Sequence, residues 1–191
     1  EQFITVDTEF IRERTYFPQL CLMQVATSKE AVAIDPIAGA DMDLTPLYDA
    51  FANEKLMKVF HACSQDIEIF VKESGRVPYP IYDTQIAAMV CGYGESISYE
   101  NLVNDICGKP LDKASRFTDW ARRPLSDRQL VYALDDVIHL REIYTELTKQ
   151  IAEDGRSEWI TEEMNDLADI TKYRVDANRA WVRLKVKSRS P

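Results

Sequence analysis

The eight residues from Phe3 to Phe10, FITVDTEF, constrain this chain more than any other stretch. They are rich in β-forming residues, and on a strand successive side chains point to opposite faces. Ile4, Val6, Thr8 and Phe10 then share one face and can pack on a core, while Asp7 and Glu9 project together from the other. Such a strand needs a layer of structure behind it and, in front, something that tolerates two acids. A divalent cation is one natural partner, because hard oxygen ligands suit Mg²⁺ or Mn²⁺. Water along a half-exposed strand edge is the other.

The pattern that follows sets the fold class. Leu20–Ala26 is a second apolar run, and Thr27–Glu30 turns the chain into Ala31–Asp35, a hairpin. Residues 44–54 are expected to be helical, with Thr45 as N-cap and Pro46 at the first helical position. Met57–Phe60 is a short buried strand, and Gln65–Ser74 a helix ended by Gly75, with Pro78 and Pro80 in the loop beyond. Further helices are expected at about 84–92, 99–107 and 126–152, the last opened by Ser126 and ended near Gly155. Asp83, just ahead of Thr84, reads as an N-cap. Strands first, then alternation, then helices describe an α/β domain, a mixed sheet flanked by helices. The expected division is a catalytic domain at 1–155 and a helical, basic C-terminal arm at 156–191.

Composition narrows the function classes. No run approaches the roughly 20 apolar residues of a membrane span. Cys21, Cys63, Cys91 and Cys107 form no CxxC pair, so reduced core thiols and a cytoplasmic location are expected. The chain begins at Glu1 and reads as a segment of a longer protein. Its net charge of −9 argues against a nucleic-acid ligand, but the charge is uneven. From Thr171 onward seven Lys/Arg oppose Asp176 alone, a net +6 that leaves −15 for the rest. A basic strip of that kind can hold phosphates, and a solvated tail is the alternative.

Two more acids join Asp7 and Glu9. In FHACSQD a strand end runs into a helix start, and the helical wheel puts Gln65, Glu68 and Lys72 on a polar stripe while Asp66 shares its side with Ile69 and Phe70. An acid that points inward needs a partner; service to the helix N-terminus is the simpler role. His61, at the strand end, is an ordinary hydrogen-bonded residue or a ligand. In YALDD the spacing separates two aspartates. Arg128, Asp135, His139, Glu142 and Glu146 share a polar face, whereas Tyr132, Asp136, Leu140, Ile143 and Leu147 share another. Asp135 is therefore expected in solvent and Asp136 buried one turn after Tyr132. Inward acids from separate segments could supply the paired cation sites used for in-line phosphoryl displacement. A tyrosine, with an ordinary pKa of about 10, is a poor base and better suited to orienting water.

VDTEF, HACSQD and YALDDV also resemble the three exonuclease motifs of the DEDD superfamily in its tyrosine-containing branch. TYFPQLCLMQVA, YDTQIAAMV and DWARRPLSDRQLVYALDDV resemble the bacterial ribonuclease D family more specifically, over roughly residues 3–153. The resemblance implies a ribonuclease H-like fold and two Mg²⁺ or Mn²⁺ ions held by Asp7, Glu9, Asp66 and Asp136, with Tyr132 positioning the attacking water. It also implies release of 5′-mononucleotides from the 3′ ends of RNA, tRNA precursors among them, by a protein taken to be monomeric. Contacts to the terminal nucleotide fall to Thr8 and Phe10, and to His61 as a weaker candidate. Trp120, Arg122 and Arg123 are candidates for RNA bases and phosphates, with packing for the tryptophan and surface ion pairs for the arginines as alternatives. Ala180–Leu184 looks like the start of the helical HRDC module that usually follows in the family. A DNA 3′→5′ exonuclease is the competing enzyme, and a non-catalytic nucleic-acid-binding module the competing class.

Overall fold

The computed structural model describes residues 2–13, 15–39, 41–111 and 118–174. The basic residues beyond Arg174 and the Ala180–Leu184 segment lie outside the described residues. Five strands form one mixed sheet: β1 (Phe3–Ile11), β2 (Gln19–Ala26), β3 (Ala31–Ile34), β4 (Met57–Phe60) and β5 (Ile81–Asp83), in the order β3-β2-β1-β4-β5. β1 and β2 pair antiparallel, as do β2 and β3, whereas β4 runs parallel to β1 and β5 to β4. The helices are α1 (Thr45–Phe51), α2 (Ser64–Ser74), α3 (Thr84–Val90), α4 (Tyr99–Cys107), α5 (Asp127–Ile138), α6 (Leu140–Glu153) and α7 (Ser157–Leu167).

Strand alternation sorts the core into layers. Ile4 and Val6 join Phe60, Ile67 and Phe70 beneath α1 and α2. On the opposite face Val59 and Tyr82 pack with Ala87, Leu102, Leu140 and Leu147 under α3, α4 and α6. Each fully buried side chain of this size contributes about 1.5–3 kcal/mol. A third cluster, Cys21, Leu22, Trp120 and Ala133, seats α5 on β2. Asp7 and Glu9 alternate with Val6 and so face the α5–α6 layer. Cys21 and Cys63 are buried free thiols, and Cys91 and Cys107 are half-buried. No helix among the described residues is long and apolar enough to cross a membrane.

Several elements differ from the sequence reading. Leu44, not Thr45, is the N-cap residue of α1, with no side-chain cap; the Asp43 carboxylate accepts from the Thr45 N–H at 2.9 Å. The helix expected over 126–152 is two helices broken at His139. β5 emerges from the expected Pro-rich loop. Glu68, assigned to a polar stripe, is 7% exposed, because Arg12 crosses over from the end of β1 and pairs with it at 2.7 Å. Beyond Gly155 the chain is helical as expected, and α7 buries Ile160 and Met164 in the second cluster.

Candidate functional site

β1 supplies the first two acids, and a register shift between Glu9 and Phe10 falls immediately after them. Bulges of this kind re-aim side chains at sheet positions beside active sites. α5 supplies the third. Its N-terminus is fixed by a capping box between Ser126 and Gln129. Its far end is fixed to β1, where the Thr5 hydroxyl donates to the Val137 carbonyl at 2.7 Å. Thr5 lies two residues before Asp7 on the same strand face, so this bond brings Asp136 up to Asp7. Carboxylate oxygens of Asp7, Glu9 and Asp136 all lie within 4.8 Å of one another.

Asp66 stands just outside this trio. It is 6% exposed, and the buried Thr8 hydroxyl donates to its Oδ1. All of these acids feel one another. Burial raises Asp7 well above the usual carboxylate range, and the Asp136 charge adds to the effect. Burial, then the charges of Asp7, Asp136 and Asp66, pushes Glu9 up to about 10. Burial and Asp7 raise Asp66 as well, against the lowering influence of Thr8. Desolvated carboxylates that disfavour one another's ionised form make a set of hard oxygen donors that a divalent cation fits. Asp136 is half-buried rather than buried, and Asp135 is half-buried rather than solvated, its carbonyl accepting from the Tyr99 hydroxyl at 2.9 Å.

The acids open onto a cavity of about 400 Å³ whose lining includes Asp7, Tyr132 and Asp136 together with His61, Gln85, Ser96, Ser98 and Tyr99. Tyr132 and Asp136 also line a smaller space of about 200 Å³ with Arg128 and Val131. The imidazole of His61 is held at both nitrogens, Nδ1 3.0 Å from Thr84 Oγ1 and Nε2 3.1 Å from the Ile97 carbonyl. Gln85 Nε2 donates to the same carbonyl at 3.0 Å, tying the 94–98 loop to the cavity wall. The sequence reading passed over Gln85, Ser96 and Tyr99. For Gln85 a signal existed, its place in YDTQIAAMV; for the others only the folded loop reveals it.

The remaining candidates separate. Phe10 packs against the first core cluster. Trp120 is 4% exposed, its ring 6.1 Å from that of Tyr132, so it supports the tyrosine rather than presenting a face to a base. Arg123 is half-buried and turned inward: it donates to the Trp120 and Cys21 carbonyls at 2.6 and 2.7 Å and pairs with Asp35 at 2.7 Å. It is therefore withdrawn as a phosphate contact. Arg122 is exposed.

Comparison with known proteins gives one consistent picture. Residues 1–152 match a family model described as 3′-5′ exonuclease. Ribonuclease D of Jannaschia sp. is 54% identical over 194 residues, covering 100% of this chain and 50% of the relative. Ribonuclease D of Nitrobacter hamburgensis is 50% identical, covering 98% and 49%. The chain thus spans about half the length of these curated relatives. Among solved structures, Escherichia coli RNase D, described as an exoribonuclease involved in structured RNA processing, superposes with a TM-score of 0.88. It is 35% identical, with 95% of this chain and 48% of that one covered.

Proposed function

This chain belongs to the 3′-5′ exonuclease family, and on that premise we propose that it is the catalytic part of an exoribonuclease that removes 5′-mononucleotides from RNA 3′ ends. The observation that carries the reading is the convergence of Asp7, Glu9 and Asp136, from a strand and a helix far apart in sequence, with Asp7 and Asp136 in the wall of a cavity of about 400 Å³.

Asp7, Glu9 and Asp136 would hold one Mg²⁺ or Mn²⁺, and Asp66, which feels the charge of Asp7, would help to hold a second. Such ions supply an acidified water and neutralise charge gathering on the phosphate under attack. The chain's own residues do the positioning. His61, Gln85 and the 96–99 segment line the space for the terminal nucleoside. Thr8 acts through Asp66. The Tyr132 hydroxyl, on the same cavity wall as Asp136, accepts or donates a hydrogen bond that aims the water along the line of the scissile bond. Water oxygen joins phosphorus and gives up a proton to solvent, the bond to the preceding 3′-oxygen breaks, and that oxygen takes a proton from solvent. Arg122, exposed two residues after the Trp120 that packs on Tyr132, is suited to a more distant phosphate. Precursors of tRNA and other structured RNAs are the proposed substrates, in line with the resemblance to ribonuclease D.

The test is a 5′-labelled RNA with a 3′ overhang, incubated with Mg²⁺, Mn²⁺ or EDTA, with Asp136→Asn and a matched DNA alongside. The expected result is a ladder shortening from the 3′ end, absent with EDTA and in the variant, and weaker on DNA. Intact RNA in every lane with folded wild type would refute the proposal, and preferential digestion of DNA would replace its substrate.

A further inference from the structure

The start of α2 is held from outside the helix. Cys63, its N-cap residue, makes no side-chain cap bond. Ala62 before it has φ 57°, the left-handed region that a residue with a Cβ occupies only under constraint. The constraint is Asp83, the last residue of β5, which is 3% exposed. Its Oδ1 accepts from the Ala62 N–H at 2.9 Å and from the Gln85 N–H at 2.8 Å, and its Oδ2 accepts from the Cys63 N–H at 2.9 Å. The next residue completes the joint: the Thr84 hydroxyl donates to the Phe60 carbonyl at 2.9 Å and meets His61 Nδ1.

An N-cap role accounts for one of the three Asp83 bonds, the one to Gln85 in α3. The other two reach back 20 and 21 residues to the turn from which α2 departs. Asp66 sits in the first turn of that helix, and His61 lies immediately before the Ala62–Cys63 turn, in the cavity wall. Asp83 itself is not among the residues lining the cavity. We propose that Asp83 is a positioning residue for the exonuclease reaction: its two carboxylate oxygens fix the Ala62–Cys63 turn and thereby place Asp66 against Asp7 and His61 against the cavity. This inference rests on the exonuclease reading above.

Asp83→Asn separates the two roles, because asparagine caps a helix as well as aspartate does. The retained Oδ1 can still accept from Gln85 and Ala62, while the new amide presents hydrogens to the Cys63 N–H. Wild type and variant would be compared for RNA cleavage over a Mn²⁺ titration, for Mn²⁺ binding without RNA by paramagnetic resonance, and for thermal unfolding. The expected result is a kcat lowered roughly 10- to 100-fold and weaker Mn²⁺ binding, as for other residues that orient metal-binding groups, with KM for RNA within about threefold. A role confined to folding would lower the active fraction and leave KM and the Mn²⁺ midpoint of the folded protein unchanged; that outcome overturns the proposal. Wild type that binds Mn²⁺ yet cleaves nothing would sink the exonuclease reading, while the Mn²⁺ comparison would still decide whether Asp83 positions Asp66. Should Asp83→Asn not fold, Asp83→Ser, which keeps the α3 cap and releases both backbone groups of the turn, is measured in the same way.

Discussion

Replacing Asp136 with asparagine is expected to make the metal-free protein more stable while it abolishes activity. With oxygens within 4.8 Å, two ionised carboxylates repel by about 3.5 kcal/mol at an effective dielectric of about 20. Asp136 takes part in two of the three such pairs. Burial first, and this repulsion after it, raises Asp7 and pushes Glu9 up to about 10, so the cluster keeps protons and avoids part of that cost. Holding a proton that the unfolded chain releases is itself destabilising above the unfolded pKa. Proton uptake and the half-exposed position of Asp136 discount the figure, leaving roughly 1–2 kcal/mol of relief on removing its charge. For a domain of this size that corresponds to a rise of roughly 2–8 °C in Tm.

The assay is thermal unfolding of both proteins in EDTA and in saturating Mg²⁺ or Mn²⁺. In EDTA the variant should melt above wild type. With cation the order should reverse, since a ligand at 100 times its Kd adds about 2.7 kcal/mol to the protein that binds it. If Asp136→Asn melts at or below wild type in EDTA, the cluster is not electrostatically strained and the argument for a cation between these acids loses its physical basis.

Other consequences are simpler to check. In EDTA, the stability of wild type from urea titrations should fall as pH rises from about 5 toward 10, because Glu9 has a folded pKa above its unfolded one and the folded chain holds the extra proton throughout that window; saturating cation should flatten the slope. Tyr132→Phe should lower kcat by about 10²-fold with KM little changed, as expected for loss of orientation alone, measured on the labelled RNA. Arg123→Ala should cost about 2–3 kcal/mol through its lost bonds to Asp35 and the Cys21 carbonyl. Arg122→Ala should leave stability within about 0.5 kcal/mol and weaken RNA binding, with a shallower salt dependence.

What was legible in the sequence was whatever a single element decides by itself. The alternation of β1 set Asp7 and Glu9 on one face, and the wheel of α2 turned Asp66 inward, where it is 6% exposed. The same wheel misplaced Glu68, because its partner Arg12 arrives from a loop 56 residues away. The break at His139 left no trace because apolar spacing continues across it, so that Leu140, Ile143 and Leu147 are buried as the unbroken helix would have buried them. β5 has three residues, too few to show a period. Asp83 was visible as a local cap, but its bonds to Ala62 and Cys63 exist only once β5 lies beside β4.

The groups that hold the acids in place include several that carry no charge of their own. Thr5, Thr8 and Tyr99 fix α5 and Asp66 through neutral hydroxyls. Two arginines are directed to other acids, Arg12 to Glu68 and Arg123 to Asp35. Hydroxyls set geometry and add no charge. The acids are thus held close together and desolvated, a state that a divalent cation relieves.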